Sequence, residues 1–143
     1  MQSTVLEIRT GGQATVHDLT SECERFVSRV VGDAGSAGRT DGLLHVFVPH
    51  ATAGLALIET GSGSEADLLG TLERLLPTSH AWRHRHGSAG HGRDHVVPAF
   101  LSPSLVLPVL AGRLDLGTWQ RVCLVDTNRD NQYRNVRLSF LAG

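Results

Sequence analysis

The seventeen residues from Ser79 to His95, SHAWRHRHGSAGHGRDH, constrain this chain most, because they offer almost nothing to bury. Five of the eight histidines fall here: His80, His84, His86, His91 and His95. The rest is mainly Gly, Ser, Ala, Arg and Asp, so the stretch reads as a long loop. Long loops inside compact domains are functional or disordered. Neutral imidazole is the commonest metal ligand and titrates nearest neutral pH. One reading is that the loop supplies part of a site completed by His50. The other is a solvated histidine-rich loop, since no pair repeats H-E-x-x-H.

The remainder must therefore build the core around this loop. A chain of 143 residues is long enough for one domain with a proper core, taken as 1–143. The formal net charge of -1 gives no general basic field, which argues against nucleic acid as a partner. No apolar run approaches the roughly 18 residues of a membrane span, and MQSTVLEIRT lacks a signal pattern. Cys23 and Cys123 sit in apolar-periodic segments and read as buried thiols, which fits a cytoplasmic location.

Periodicity gives the elements. Thr4, Leu6 and Ile8 alternate as a strand, Gly11-Gly12 turns, and Ala14 and Val16 suggest a second strand paired with the first. Ser21 and Glu24 have capping-box spacing, and Cys23, Phe26, Val27, Val30 and Val31 form a helical stripe that Gly32 can stop. Residues 32–42 read as loop. LLHVFV is a strand ended by Pro49, with His50 immediately after and His45 a face residue rather than a ligand. A strand with Leu55 and Leu57 runs into Glu59. A helix from Glu65 to about Leu76 follows, capped by Ser64, with Leu68, Leu69, Leu72, Leu75 and Leu76 on one face and Pro77 closing it. Residues 95–101 suggest a short helix. Leu105, Leu107 and Val109 alternate, as do Leu114 and Leu116. Val122 and Leu124 share one strand face, and Val136, Leu138 and Phe140 end the chain. Two main helices and seven or eight strands with short connections predict an α+β fold, a compact and mostly antiparallel sheet or sandwich.

HATAGLALIE, the helix DLLGTLERLLP, W-R-H, the later His95, SLVLPVLAGRLDLGTWQRVCLVD and Arg134 together resemble the YjbQ-like family, often labelled secondary thiamine-phosphate synthase. The likeness runs from about residue 43 to the end and is densest from Leu105 to Gln120. It implies a small α+β sandwich that forms a homotrimer, with histidines near a subunit interface around a metal or anion. The family histidines fall on His50, His84 and His95, its glutamate on Glu59, its helical aspartate on Asp67, its tryptophan on Trp119 and its final arginine on Arg134. Ile58 replaces the usual Asn, Trp82 a Tyr, Pro103 a Gly, and Asp126 a Glu, while Asn131-Gln132-Tyr133 replaces a glycine-rich turn. His80, His86 and His91 have no counterpart and read as solvated loop residues. Trp119 reads as core or interface packing.

The chemistry implied is an open three-imidazole site for a divalent metal, zinc first, with magnesium or manganese as alternatives. Glu59 or Asp67 would orient a ligand or act as base. Arg134 offers a planar fork to the phosphate of a small phosphorylated substrate. Asp67 equally suits the first turn of its helix. No Walker-type loop is present. Three outcomes follow: a thiamine-phosphate synthase-like transferase, a metal-dependent hydrolase of a small phosphorylated metabolite, or a non-enzymatic trimeric metal- or ligand-binding protein. This reading expects metal to be lost with His50 or His95 and kept without His91.

Overall fold

The computed structural model describes residues 1–33 and 39–143. The central part of the loop expected at 32–42 thus lies outside the described residues. The elements run β1 (Gln2–Arg9), β2 (Thr15–Asp18), α1 (Thr20–Asp33), β3 (Gly42–Phe47), β4 (Ala53–Ile58), α2 (Ser64–Leu75), α3 (His91–Asp94), a 3-10 turn (Val97–Ala99), β5 (Ser104–Leu110), β6 (Arg113–Leu114), β7 (Arg121–Asp126) and β8 (Tyr133–Ala142). The strands form a five-stranded sheet, β1-β8-β3-β5-β6, and a three-stranded sheet, β2-β7-β4. Every pair is antiparallel. The α+β architecture is as the alternation implied. No helix among the described residues is long and apolar enough to cross a membrane.

The chain crosses between the sheets at nearly every connection. This corrects the expected β1–β2 hairpin. β1 pairs along its whole length with β8, from Gln2 opposite Phe140 to Arg9 opposite Tyr133. β2 pairs instead with β7, Thr15 opposite Asp126. Period two reveals a strand but not its partner.

Leu44, Val46, Leu107, Val109, Leu138 and Phe140 of the large sheet pack on Leu55, Val122 and Leu124 of the small one, with Phe26, Val27 and Val30 of α1 closing the core. Each such fully buried side chain contributes roughly 1.5–3 kcal/mol. β7 is the middle strand, and every residue from Val122 to Asp126 is buried, so both its faces are covered rather than the one expected.

Helix starts depart from the expected caps. α1 begins at Thr20, whose N–H donates to Asp18 Oδ1 at 2.8 Å, so Ser21 lies inside the helix. The Thr20 hydroxyl accepts from the Val122 N–H at 2.9 Å, tying α1 to β7. α2 starts after Gly63 with no side-chain cap, and Glu65 accepts from the Gly61 N–H at 2.8 Å. Leu72 and Leu76 are buried, but Leu75 is 62% exposed and leaves the expected apolar face. The short helix expected at 95–101 is present as the 3-10 turn at Val97–Ala99, with α3 as a separate turn just before it. Trp119 is 69% exposed, which removes it from the core.

Candidate metal centre

The histidine-rich loop is held by polar bonds rather than an apolar core. Arg93 is buried and pairs with Glu73 of α2. Its neighbour Asp94, also buried, accepts from the Thr127 hydroxyl at 2.6 Å. Trp82 donates its indole N–H to the Pro77 carbonyl at 2.9 Å. Gly92 packs against the base of the Trp82 side chain. A Cβ there would sit 2.5 Å from Trp82 Cβ and 2.7 Å from the His84 carbonyl oxygen. Buried charges persist when they are paired and hydrogen-bonded, and such networks order a segment that has little to bury.

Four histidines converge on this scaffold. His84, His86, His91 and His95 each bring a ring nitrogen to within 4.8 Å of the others. His91 opens α3 and His95 is its C-terminal cap residue, so a four-residue spacing puts both rings on one face, Nε2 to Nε2 at 3.0 Å. His84 and His86 approach each other through their own Nε2 atoms. Partial loss of solvation, then the neighbouring imidazoles, hold His84 and His95 below the ordinary histidine value, so both favour the neutral, ligating form. Around tetrahedral zinc at 2.0–2.1 Å, neighbouring nitrogens lie about 3.3 Å apart. The cluster needs only small ring movements to reach that spacing, and four imidazoles suit Zn²⁺, Cu²⁺ or Ni²⁺ better than Mg²⁺. The donor set fits a borderline transition metal.

A cavity of about 330 Å³ lies beside the cluster, lined by His50, Thr52, His86, His91, Asn131 and Arg134 among others. His50 lines this cavity too but is not one of the four. Its Nε2 accepts from the Asn135 N–H at 2.9 Å, which leaves the proton on Nδ1. Burial, then the Arg134 guanidinium, keeps His50 neutral by lowering its pKa. The expected ligand is thus a hydrogen-bond donor in this arrangement, because β8 has already taken its lone pair.

Arg134 also differs from expectation. It is 1% exposed and donates through Nε and Nη2 to both Asp126 oxygens, at 2.7 and 3.0 Å. The fork expected to grip phosphate is closed on a buried carboxylate. Glu59 and Asp67 lie elsewhere. β4 starts beside the cavity, where Ala53 faces Asp126, and Glu59 follows its other end, where Ile58 faces Arg121. Six residues of strand span about 20 Å. Glu59 is exposed and accepts from the Ser62 hydroxyl at 2.9 Å, and Asp67 is exposed in the first turn of α2. Within one chain neither carboxylate reaches the histidines.

His84 and His95 are brought together as the resemblance implied. His86 and His91, set aside as solvated, join them, and His91 is only 6% exposed. The spacing held the signal. H-x-H at 84–86 and H-x-x-x-H at 91–95 each present two rings on one side of a short segment. His80 stays outside, with its ring against Trp82.

A family profile described as "UPF0047 protein YjbQ-like" matches residues 4–143. A UPF0047 protein of Mycobacterium tuberculosis is 50% identical over 143 residues, the whole of both chains. The crystal structure of a hypothetical protein from Aeropyrum pernix K1 superposes with a TM-score of 0.87 at 30% identity, covering 100% of each chain. That of a YbjQ-like protein from Sulfolobus solfataricus P2 gives 0.87 at 25% identity, covering 99% of this chain and 97% of the other.

Proposed function

Because the chain belongs to the YjbQ-like UPF0047 family, we propose that it is a metal-dependent protein that binds a small phosphorylated molecule, with the metal held by His84, His86, His91 and His95. The observation that carries this reading is the convergence of four imidazoles, three of which line one cavity. A divalent cation held by these four would polarise a phosphoryl oxygen only as a fifth ligand, because four imidazoles already fill a tetrahedron.

The chain's own residues define what else the cavity offers. His50 presents its Nδ1–H as a neutral donor. Arg134 and Asp126 form a charge-neutral pair, so Arg134 orients through its remaining N–H groups rather than attracting an anion. Four neutral imidazoles leave a dication uncompensated, which favours an anionic ligand. This supports phosphate or diphosphate as the group bound.

Of the enzymatic readings, transfer with diphosphate departure, the thiamine-phosphate synthase-like reaction, asks mainly for stabilisation of leaving-group charge. Hydrolysis asks for Glu59 or Asp67 beside a bound water, and within one chain both lie away from the cavity. The transferase reading is therefore favoured over the hydrolase. A homotrimer is part of the same proposal. The outer face of the large sheet exposes Val5, Leu43, Val106 and Leu141, an apolar surface that neighbouring copies can cover.

The test is calorimetric titration of inorganic phosphate and diphosphate into zinc-loaded and metal-free protein, followed by turnover with a pyrimidine diphosphate and a thiazole phosphate. Anion binding that requires zinc supports the proposal. Equal binding by the metal-free protein contradicts it, and turnover separates transfer from a binding role alone.

A further inference from the structure

We propose that Asp130 is a positioning residue that sets the tautomer of His91 and so aims its Nε2 lone pair into the histidine cluster. This rests on the metal-site reading above and extends it to a residue outside the ligand set.

Three groups face His91 Nδ1. Asp130 Oδ2 lies 2.8 Å away, the Asn128 amide nitrogen 3.0 Å, and Asp94 Oδ2 3.9 Å. The Asn128 amide is fixed, because its Oδ1 accepts from the N–H groups of Asp130 and Asn131 at 2.8 and 3.0 Å. Its NH₂ therefore turns toward the imidazole. Nδ1 is thus offered a carboxylate acceptor and an amide donor at once. It can carry a proton for Asp130 or a lone pair for Asn128, but not both.

The two choices have opposite consequences at the far nitrogen. A proton on Nδ1 leaves Nε2 with a lone pair, which can take a metal. A lone pair on Nδ1 puts the proton on Nε2 and removes His91 from the ligand set. A charge-assisted bond is roughly twice as strong as a neutral one, so the carboxylate wins. The Ser88 backbone N–H also donates to the same Oδ2 at 3.1 Å, which fixes the carboxylate against His91. The carboxylate–histidine–metal arrangement that results is a recurrent way of orienting a ligand.

The loop is shaped around this bond. A Cβ at Gly87 would sit 2.6 Å from Asp130 Oδ2 and 2.8 Å from His91 Cγ, and Gly87 has φ 79°. Only glycine lets the backbone close over the pair without displacing it.

The experiment compares wild type, Asp130→Ala, Asp130→Asn and Thr127→Val. Thr127→Val loosens the same loop by removing the bond to Asp94 Oδ1, and Asp94, being an acceptor, can only favour the same Nδ1–H form. Long-range ¹H–¹⁵N spectra of the metal-free proteins report the His91 tautomer, and chelator competition gives the zinc affinity. We expect the Nδ1–H form in wild type and Thr127→Val. Asp130→Ala should show the Nε2–H form and bind zinc about 10–100-fold more weakly. Asp130→Asn, which keeps an acceptor, should fall between and supplies the result should the alanine variant not fold. An unchanged tautomer, or unchanged zinc affinity, in the Asp130 variants overturns this role while the metal site stands. Wild type that takes up no zinc overturns the site itself, and this role with it.

Discussion

Arg134, which lines the cavity, and Asp126 face each other through two parallel hydrogen bonds, both residues nearly inaccessible to water. Asp126 also accepts from the Thr10 hydroxyl at 2.7 Å and the Asn128 N–H at 3.0 Å. The pair therefore joins β7, β8 and the turn between them to the segment after β1. Arg134→Ala strands a buried carboxylate and should cost about 3–5 kcal/mol in denaturant unfolding. Arg134→Lys should recover only part, because a point charge cannot replace the two-armed contact. A loss below about 1 kcal/mol would show that the pair is not a structural element.

Gly87 should tolerate no side chain. Gly87→Ala forces a Cβ onto Asp130 and His91 and occupies a left-handed backbone position. That position alone costs of order 1–3 kcal/mol. The strain falls on the loop, so zinc affinity should drop at least tenfold while the circular dichroism of the sheets is retained.

Glu59→Gln should leave zinc affinity and stability nearly unchanged. The residue is exposed and follows the β4 end away from the cavity, and surface substitutions of this kind stay within about 0.5 kcal/mol. A tenfold loss of zinc in calorimetry would mean that a neighbouring copy brings this carboxylate to the cluster.

Both thiols should be inert in the folded protein. Burial is the first cause that pushes Cys23 and Cys123 from the ordinary 9.0 up to about 12. The sign follows from linkage. A raised pKa favours the protonated native form, so its stabilisation is complete below pH 9.0 and is lost as pH rises toward about 12. A disulfide-exchange reagent at pH 8 should label neither cysteine until denaturant is added.

The strands most legible in the sequence have one face packed and one exposed. In β5, Leu107 and Val109 are buried while Val106 and Leu110 are more than half exposed, so alternation survives. β7 escaped full description because it lies between β2 and β4 with both faces covered. The partner of β2 was invisible because strand pairing is a long-range choice. The histidine cluster was half legible. The likeness pointed to His84 and His95, whereas His86 and His91 looked solvated because the groups that order their loop are remote. Glu73 precedes it on α2, and Thr127, Asn128 and Asp130 arrive after β7. For His50, the sequence does not reveal that β8 claims its Nε2.

The most direct test is elemental analysis of the untagged protein beside its His91→Ala and His50→Ala variants after zinc supplementation. The account expects close to one metal per chain in wild type and in His50→Ala, and its loss in His91→Ala. Metal kept without His91 but lost without His50, or no metal in any of the three, would contradict it.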